Sequence, residues 1–124
     1  MRPTICLMTV LIVAGGSTQA NAKAAAFQIK ETTWTFVEKG TKMRESIDAD
    51  GNYIENSVAG KHIDHGTATM KGGKACFTSA MTKDGETCWT TRSTAIGQSM
   101  VTTNDKGRKL KVTRVKYVPM SLTK

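Results

Sequence analysis

The segment His62-Ile63-Asp64-His65 concentrates the side chains that could bind a metal ion or act as a general base. Either chemistry needs two or three such groups to converge on one point. In a regular β-strand, however, His62 and Asp64 share one face and His65 points to the other, unless a bulge at Gly66 changes the alternation. We therefore interpret His62, Asp64 and His65 as a solvated strand end that forms at most a weak polar site.

The acids around Gly51 are a second group of potential ligands. Asp48, Asp50 and Glu55 could offer oxygen atoms to a calcium ion, but in an EF-hand loop the glycine is the sixth residue and the last glutamate the twelfth. Here they are the fourth and the eighth. Asp and Gly also favour tight turns between strands, so we expect a plain hairpin turn and no metal.

No pattern in the sequence predicts a catalytic centre or a cofactor site. There is no Gly-x-Ser-x-Gly turn for a serine nucleophile, and a catalytic triad could draw on only two histidines. No glycine-rich phosphate loop follows a strand and opens a helix. We therefore predict that the protein is not an enzyme and has no cofactor. The minor alternative is a small hydrolase whose cleft has His62, Asp64 or His65 at its base.

Cys76 and Cys88 are predicted to form a disulfide. They are separated by eleven residues, whereas redox-active pairs are typically Cys-x-x-Cys and paired zinc ligands lie about two to four residues apart. The third cysteine, Cys6, lies in the N-terminal leader. Export would place the remaining pair in an oxidising compartment, where a structural bridge is the expected state and a metal site or a catalytic thiol the alternatives.

A basic strip near the C-terminus is the strongest charge feature of the chain. It comprises Lys106, Arg108, Lys109, Lys111, Arg114 and Lys116, and the eleven residues 106–116 contain no acid. On a strand, Lys109 and Lys111 face one way and Arg114 and Lys116 the other. Two interpretations are open: lysines that protect a terminal strand from edge-to-edge pairing, and attraction to an anionic envelope surface or an acidic protein. Nucleic acid is not an expected partner, because the strip lacks stacking aromatic residues beyond Tyr117.

The elements that must position these residues are short β-strands. Apolar and β-branched residues alternate in runs between glycine-containing turns, and no stretch after the leader keeps the 3.6-residue period of a helix. The predicted strands are Thr32 to Val37, Thr41 to Ile47, Asn52 to Ser57, His62 to Lys71, Lys74 to Ser79, Glu86 to Thr91, Ser99 to Thr103 and Lys109 to Val118.

Eight strands joined by short links favour an all-β fold, an antiparallel meander in which each strand lies beside its predecessor. Closure into a small barrel would remove the exposed edges, so we predict a closed or partly open barrel, with a curled sheet or a sandwich as alternatives. A hairpin folded about Thr82 would place Cys76 directly opposite Cys88. Phe77 and Trp89 would then point away from the sulfur atoms.

On that other face, Phe77 and Trp89 are expected to join Trp34 and Phe36 as the aromatic centre of the core.

The first 22 residues have the pattern of a cleaved signal peptide. Arg2 gives a positive start, residues 5–14 are almost entirely apolar, and Ala20-Asn21-Ala22 supplies the small residues that signal peptidase requires. The apolar run is too short to span a membrane, and we expect no transmembrane segment in the mature protein. The predicted organisation is a signal peptide at 1–22, a flexible arm at 23–31, a single β domain at 32–118 and a mobile tail at 119–124.

Several short motifs resemble a group of small exported alphaproteobacterial proteins with no assigned function. They are Gly51-Asn52-Tyr53, the segment 61–67, Cys76-Phe77-Thr78 and Cys88-Trp89-Thr90. The resemblance implies export to a bacterial envelope, a β-rich fold and a paired Cys76 and Cys88, and it implies no activity.

These observations together predict a periplasmic or secreted protein with a formal net charge of +8 before the leader is removed. We expect a non-enzymatic binding or inhibitory module of the bacterial envelope. The alternative is a structural or surface-associated envelope protein held by its basic C-terminal strand.

Overall fold

A computed structural model describes residues 27–122, so the expected signal peptide, the first part of the arm and the last two residues lie outside the described residues. Within this range the chain forms eight strands. They are β1 (Thr32–Glu38), β2 (Thr41–Ile47), β3 (Asn52–Ser57), β4 (His62–Lys71), β5 (Lys74–Ser79), β6 (Glu86–Thr90), β7 (Ser99–Thr103) and β8 (Lys109–Val115). Every strand expected from the sequence is present, and the differences are confined to the ends of β1, β6 and β8.

The strands form one antiparallel sheet in the order β6-β5-β4-β3-β2-β1-β8-β7. Each strand pairs with its successor except β6, and β1 also pairs with β8. The sheet therefore curls into a nearly closed barrel with one unsealed seam between β6 and β7. This confirms the predicted all-β meander. No helix in residues 27–122 is long and apolar enough to cross a membrane.

The seam is bridged by scattered hydrogen bonds in place of a ladder. Thr102 donates its hydroxyl to the Thr90 carbonyl at 2.6 Å, and the Thr103 amide donates to the Thr90 hydroxyl at 3.0 Å. The Cys88 amide donates to the Asp105 carboxylate at 3.1 Å. These contacts satisfy part of the backbone that two edge strands would otherwise expose.

The inner face of the barrel carries the core, because alternate residues of each strand point inward. Trp34 and Phe36 of β1 are buried, and Tyr53 of β3 packs edge-to-face on Phe77 of β5 with ring centroids 5.2 Å apart. Trp89 shares this interior. The four aromatic residues expected at the centre of the core therefore share one face, and Tyr53 is an additional member that the sequence reasoning had not placed there.

The described end of the expected flexible arm packs against the barrel. Ile29 is buried in the core, and the ring of Phe27 lies edge-to-face with Trp34 at 6.1 Å. The Thr32 hydroxyl donates to the Ile29 carbonyl. Residues 27–31 thus cover the end of the barrel where β1 begins.

Cys76 and Cys88 are directly opposite one another in the β5–β6 hairpin, as the sequence predicted. Their sulfur atoms lie at disulfide distance on the outer face, while Phe77 and Trp89 line the interior. A bond here ties β6, which is paired on one side only, to the body of the sheet.

We expect Cys76→Ser to lower the free energy of unfolding by about 2 to 4 kcal/mol, because the reduced chain gains conformational freedom when unfolded. Chemical denaturation with and without a reductant measures this. The Cys76→Ser, Cys88→Ser double variant is the control and should not respond to the reductant. A wild-type midpoint that the reductant leaves unchanged would contradict a stabilising disulfide.

Candidate ligand-binding cavity

The barrel encloses a cavity of about 460 Å³ whose wall receives residues from all eight strands. Ile29 lines the end covered by the N-terminal segment. The exposed residues Asp84, Lys106 and Arg108 line the opposite end, where the β5–β6 and β7–β8 loops meet. The cavity therefore has a covered apolar end and a charged mouth.

Three carboxylates form a row across neighbouring strands on the wall of this cavity. Glu45 of β2 is directly opposite Glu55 of β3, and Glu55 is directly opposite Asp64 of β4. Directly opposed residues on one face of a sheet are close, and like charges in such positions are destabilising. We call Glu45, Glu55 and Asp64 the acid row.

Asp64 is the member of the acid row with hydrogen-bond partners on both oxygen atoms. The Tyr53 hydroxyl donates to one of them at 2.7 Å, and the Ser79 hydroxyl donates to the other at 2.6 Å. Burial and the hydrogen bond to Asp64 raise the pKa of Tyr53, so the phenol stays neutral and keeps its proton for this bond. The bonds from β3 and β5 fix the Asp64 carboxylate in the wall.

The other two members of the row hold their protons more tightly than ordinary glutamates do. Burial, followed by repulsion from Glu55 and Asp64, raises the pKa of Glu45 well above its usual value. Burial, followed by repulsion from Glu38 and Asp64, raises the pKa of Glu55 from 4.5 to about 7, and Arg108 partly opposes this rise. The charge of the row therefore changes near neutral pH.

Arg108 at the mouth forms an ion pair with Glu38, another residue of the cavity wall. The Arg108 guanidinium lies 2.5 Å from the Glu38 carboxylate, with the Arg108 side chain half exposed. Because solvent reaches this pair, it stabilises the fold by at most about 1 kcal/mol. Its larger effect is on charge, since Arg108 is engaged by Glu38 and offsets the negative charge of the acid row only in part.

The cavity can bind a ligand, and its carboxyl groups can exchange protons with that ligand. A carboxyl group whose pKa lies near 7 can serve a charge-sensitive binding site or general acid–base chemistry. The aromatic and aliphatic side chains around it provide apolar contact, as small-molecule sites commonly do.

The structure separates Asp64 from the two histidines of the weak polar site. A register shift after Glu55 sets Asn56 opposite His62, so Ile63 is an extra residue, and the bulge lies there and not at Gly66. The alternation flips at this point. The expectation that His62 and Asp64 share a face is therefore wrong: Asp64 points into the cavity, and His62 does not.

The two histidines meet on the outer face of the barrel. The Nε2 atom of His62 lies 3.0 Å from Nδ1 of His65, and Nδ1 of His62 lies 2.8 Å from the side-chain oxygen of Asn56. Each histidine thus has a protein partner, and neither reaches the cavity.

The structure also divides the basic strip. Lys106 and Arg108 lie at the mouth, whereas Lys109 and Lys111 are exposed on the outer face of β8. Arg114 is half-buried and donates to the Thr94 carbonyl at 2.8 Å, so it braces the 91–98 loop. Because β8 lies between β1 and β7, it is not an edge strand, and the edge-protection interpretation of its lysines is wrong.

Two further acids, Asp48 and Glu86, have local partners. Asp48 accepts hydrogen bonds from the amides of Asp50 and Asn52, both at 2.9 Å, and so closes the β2–β3 turn. Glu86 lies near Cys76 and Cys88, but its carboxylate pairs with Lys71 at 2.7 Å.

The sequence contained a signal for the acid row that strand alternation alone could reveal. Strand alternation puts Met43 and Ile47 on one face of the segment Thr41 to Ile47, and Glu45 lies between them on that same face. An acid between two core residues lowers the stability of the fold, and such exceptions are expected at functional sites. Its neighbours in the row depend on the register of β3 and β4, which includes the bulge at Ile63.

Comparison with protein-family models, with curated proteins and with solved structures found no match. The resemblance to small exported alphaproteobacterial proteins therefore stays a prediction, and any functional conclusion depends on the cavity itself.

The raised pKa of Glu55 predicts how stability depends on pH. Because the folded protein binds this proton more tightly than the unfolded chain, the free energy of unfolding should fall as pH rises from about 4.5 to about 7. Glu55→Gln should flatten this slope and leave the variant more stable than wild type at pH 8 by about 1 to 2 kcal/mol, allowing for solvent screening.

Urea denaturation at a series of pH values measures this slope. Glu31→Gln, which replaces an exposed glutamate, is the matched control and should keep the wild-type profile. Equal slopes in wild type and Glu55→Gln would show that the cavity does not perturb this carboxyl group.

Proposed function

We propose that this protein is a non-enzymatic binding module of the bacterial envelope that takes a small organic ligand into the lumen of its barrel. The observation that carries the proposal is the cavity of about 460 Å³. This volume lies within the range of about 300 to 1,000 Å³ that is typical of small-molecule sites. Barrels of eight strands are either filled by their own side chains or hold one small ligand.

Small inward-facing residues explain why the lumen is not filled. Ala75 and Ser79 of β5, Thr87 of β6 and Thr102 of β7 all line the cavity. Larger aliphatic side chains at these positions would complete an ordinary core and stabilise the fold. The space therefore follows directly from the choice of side chains along one half of the barrel.

The envelope location rests on the leader pattern of residues 1–22 and on the cysteine pair. Residues 1–22 have the composition of a secretory signal. A disulfide between Cys76 and Cys88 would persist in an oxidising compartment such as the periplasm.

Binding is favoured over the small-hydrolase alternative by where the histidines lie. That hypothesis placed His62, Asp64 or His65 at the base of a cleft; Asp64 does line the cavity, but neither histidine does, so no imidazole is available there as a general base. Asp64 is held by Tyr53 and Ser79, which orients it as a wall residue.

Attachment to an anionic envelope surface is less well supported than ligand binding. Lys109 and Lys111 are exposed and face outward, as such a role requires. Of the other four, Lys106 and Arg108 lie at the mouth, where Arg108 pairs with Glu38. Arg114 donates to the Thr94 carbonyl, and Lys116 is exposed beyond the end of β8. A contiguous basic surface of six residues is therefore not formed, and electrostatic attraction to a surface depends on charges acting together.

Uptake of N-phenyl-1-naphthylamine, a neutral fluorescent probe of apolar sites, tests the proposal. We expect its emission to rise on binding and the emission of the protein to change, because both tryptophans of the chain, Trp34 and Trp89, line the cavity. Thr87→Phe fills the cavity from β6 and should weaken uptake by about tenfold or more.

The matched control is Thr67→Phe, which adds the same ring at an exposed position of β4. It should bind the dye as wild type does. Equal uptake by wild type and Thr87→Phe would contradict a binding site in the lumen.

A further inference from the structure

The lumen has the opposite charge to the protein as a whole. The chain carries 18 Lys and Arg against 10 Asp and Glu, yet five acids line the cavity against two basic residues. The two basic residues, Lys106 and Arg108, lie at the mouth, and Arg108 is paired with Glu38. The deeper wall is therefore acidic and has no basic side chain of its own among the described residues.

Glu45 is the least satisfied member of this wall. It is half-buried in the cavity wall, and its carboxylate forms no hydrogen bond or ion pair with any residue of the described range 27–122. Glu55 on the next strand also lines the cavity without a hydrogen bond or ion pair to a described residue. Enclosed carboxyl groups without partners are costly in a fold, and a ligand that supplied a positive charge would satisfy both at once.

The acid row occupies one side of the barrel only. Its members come from the consecutive strands β2, β3 and β4. The strands across the lumen, β6 to β8, contribute no carboxylate; their lining residues are Trp89, Met100, Leu110 and Val112 together with Thr87, Thr90 and Thr102. A ligand that spans the lumen therefore meets carboxylates on one side and, on the other, an uncharged wall of apolar side chains and threonine hydroxyls, called here the apolar wall. Aromatic faces are also favourable neighbours for a cation.

We propose that the ligand is an organic cation, a substituted ammonium group carried on an apolar body. The inference rests on the proposed function and names the chemical class of its ligand. The ammonium group contacts Glu45 and Glu55, and the body lies against the apolar wall. An organic acid is disfavoured because its carboxylate would face three others, and an uncharged ligand would leave Glu45 and Glu55 unpaired.

Three compounds with one body and different head groups test this directly. They are 4-phenylbutylamine, 4-phenyl-1-butanol and 5-phenylvalerate, measured by titration calorimetry with the purified protein at pH 8, where the amine is protonated and Glu55 is ionised. We expect the amine to bind about tenfold or more tightly than the alcohol, and the valerate to bind most weakly.

Substitutions then assign the preference to the acid row. Glu45→Gln and Glu55→Gln should each reduce the advantage of the amine over the alcohol by about fivefold or more while leaving alcohol binding similar. Glu31→Gln, at an exposed position outside the cavity, should leave the advantage unchanged. A quaternary analogue, 4-phenylbutyltrimethylammonium, distinguishes a primary amine from a choline-like head group, since only the primary amine donates hydrogen bonds.

Each result bears on one claim. Equal binding of the three compounds, or tightest binding of the valerate, would overturn the cationic ligand while uptake of the neutral dye could still support a binding lumen. An amine advantage that survives in both glutamine variants would also overturn it. Binding of neither the dye nor any of the three compounds would overturn the proposed function together with the inference.

Discussion

Four residue pairs between β1 and β8, from Thr33 opposite Val115 to Phe36 opposite Val112, turn the sheet into a barrel. Without them β1 and β8 would be open edges, and the inner faces of the strands would have no opposing wall. The contact joins residues about eighty positions apart, so the whole meander must be assembled before the lumen exists. The cavity, the enclosed carboxylates and the covered apolar end all depend on this closure.

Once the barrel is closed, the acid row costs stability. Glu45, Glu55 and Asp64 are like charges on adjacent strands, and solvent screens them less than it would on an outer face. Raised pKa values at Glu45 and Glu55 show how the protein limits this cost, because a neutral carboxyl group replaces a buried charge. A fold that carries such a local conflict is understood most simply if the conflict is resolved by a ligand.

The sequence predicted the architecture well because its signals were local. Alternation at Trp34 and Phe36, the turn at Asp50 and Gly51, and the symmetry of Cys76 and Cys88 about Thr82 each involve a few neighbouring residues. The site was harder to predict because it depends on register between strands. The bulge at Ile63 reverses the faces of His62 and Asp64, and no local pattern indicated it. The barrel closes through the pairing of β1 with β8, so the open seam lies between β6 and β7 and β8 is not an edge strand. The edge-protection interpretation of Lys109 and Lys111 was wrong for that reason.

The most direct test of this account is the titration of the Glu55 carboxyl carbon by NMR, in the free protein and with 4-phenylbutylamine. The structure predicts a midpoint near 7 in the free protein, because the group is enclosed and faces other acids. The amine should move that midpoint down toward the ordinary value, since a bound cation favours the ionised form. A midpoint near 4.5 in the free protein, unchanged by the amine, would contradict both an enclosed acidic lumen and a cation bound within it.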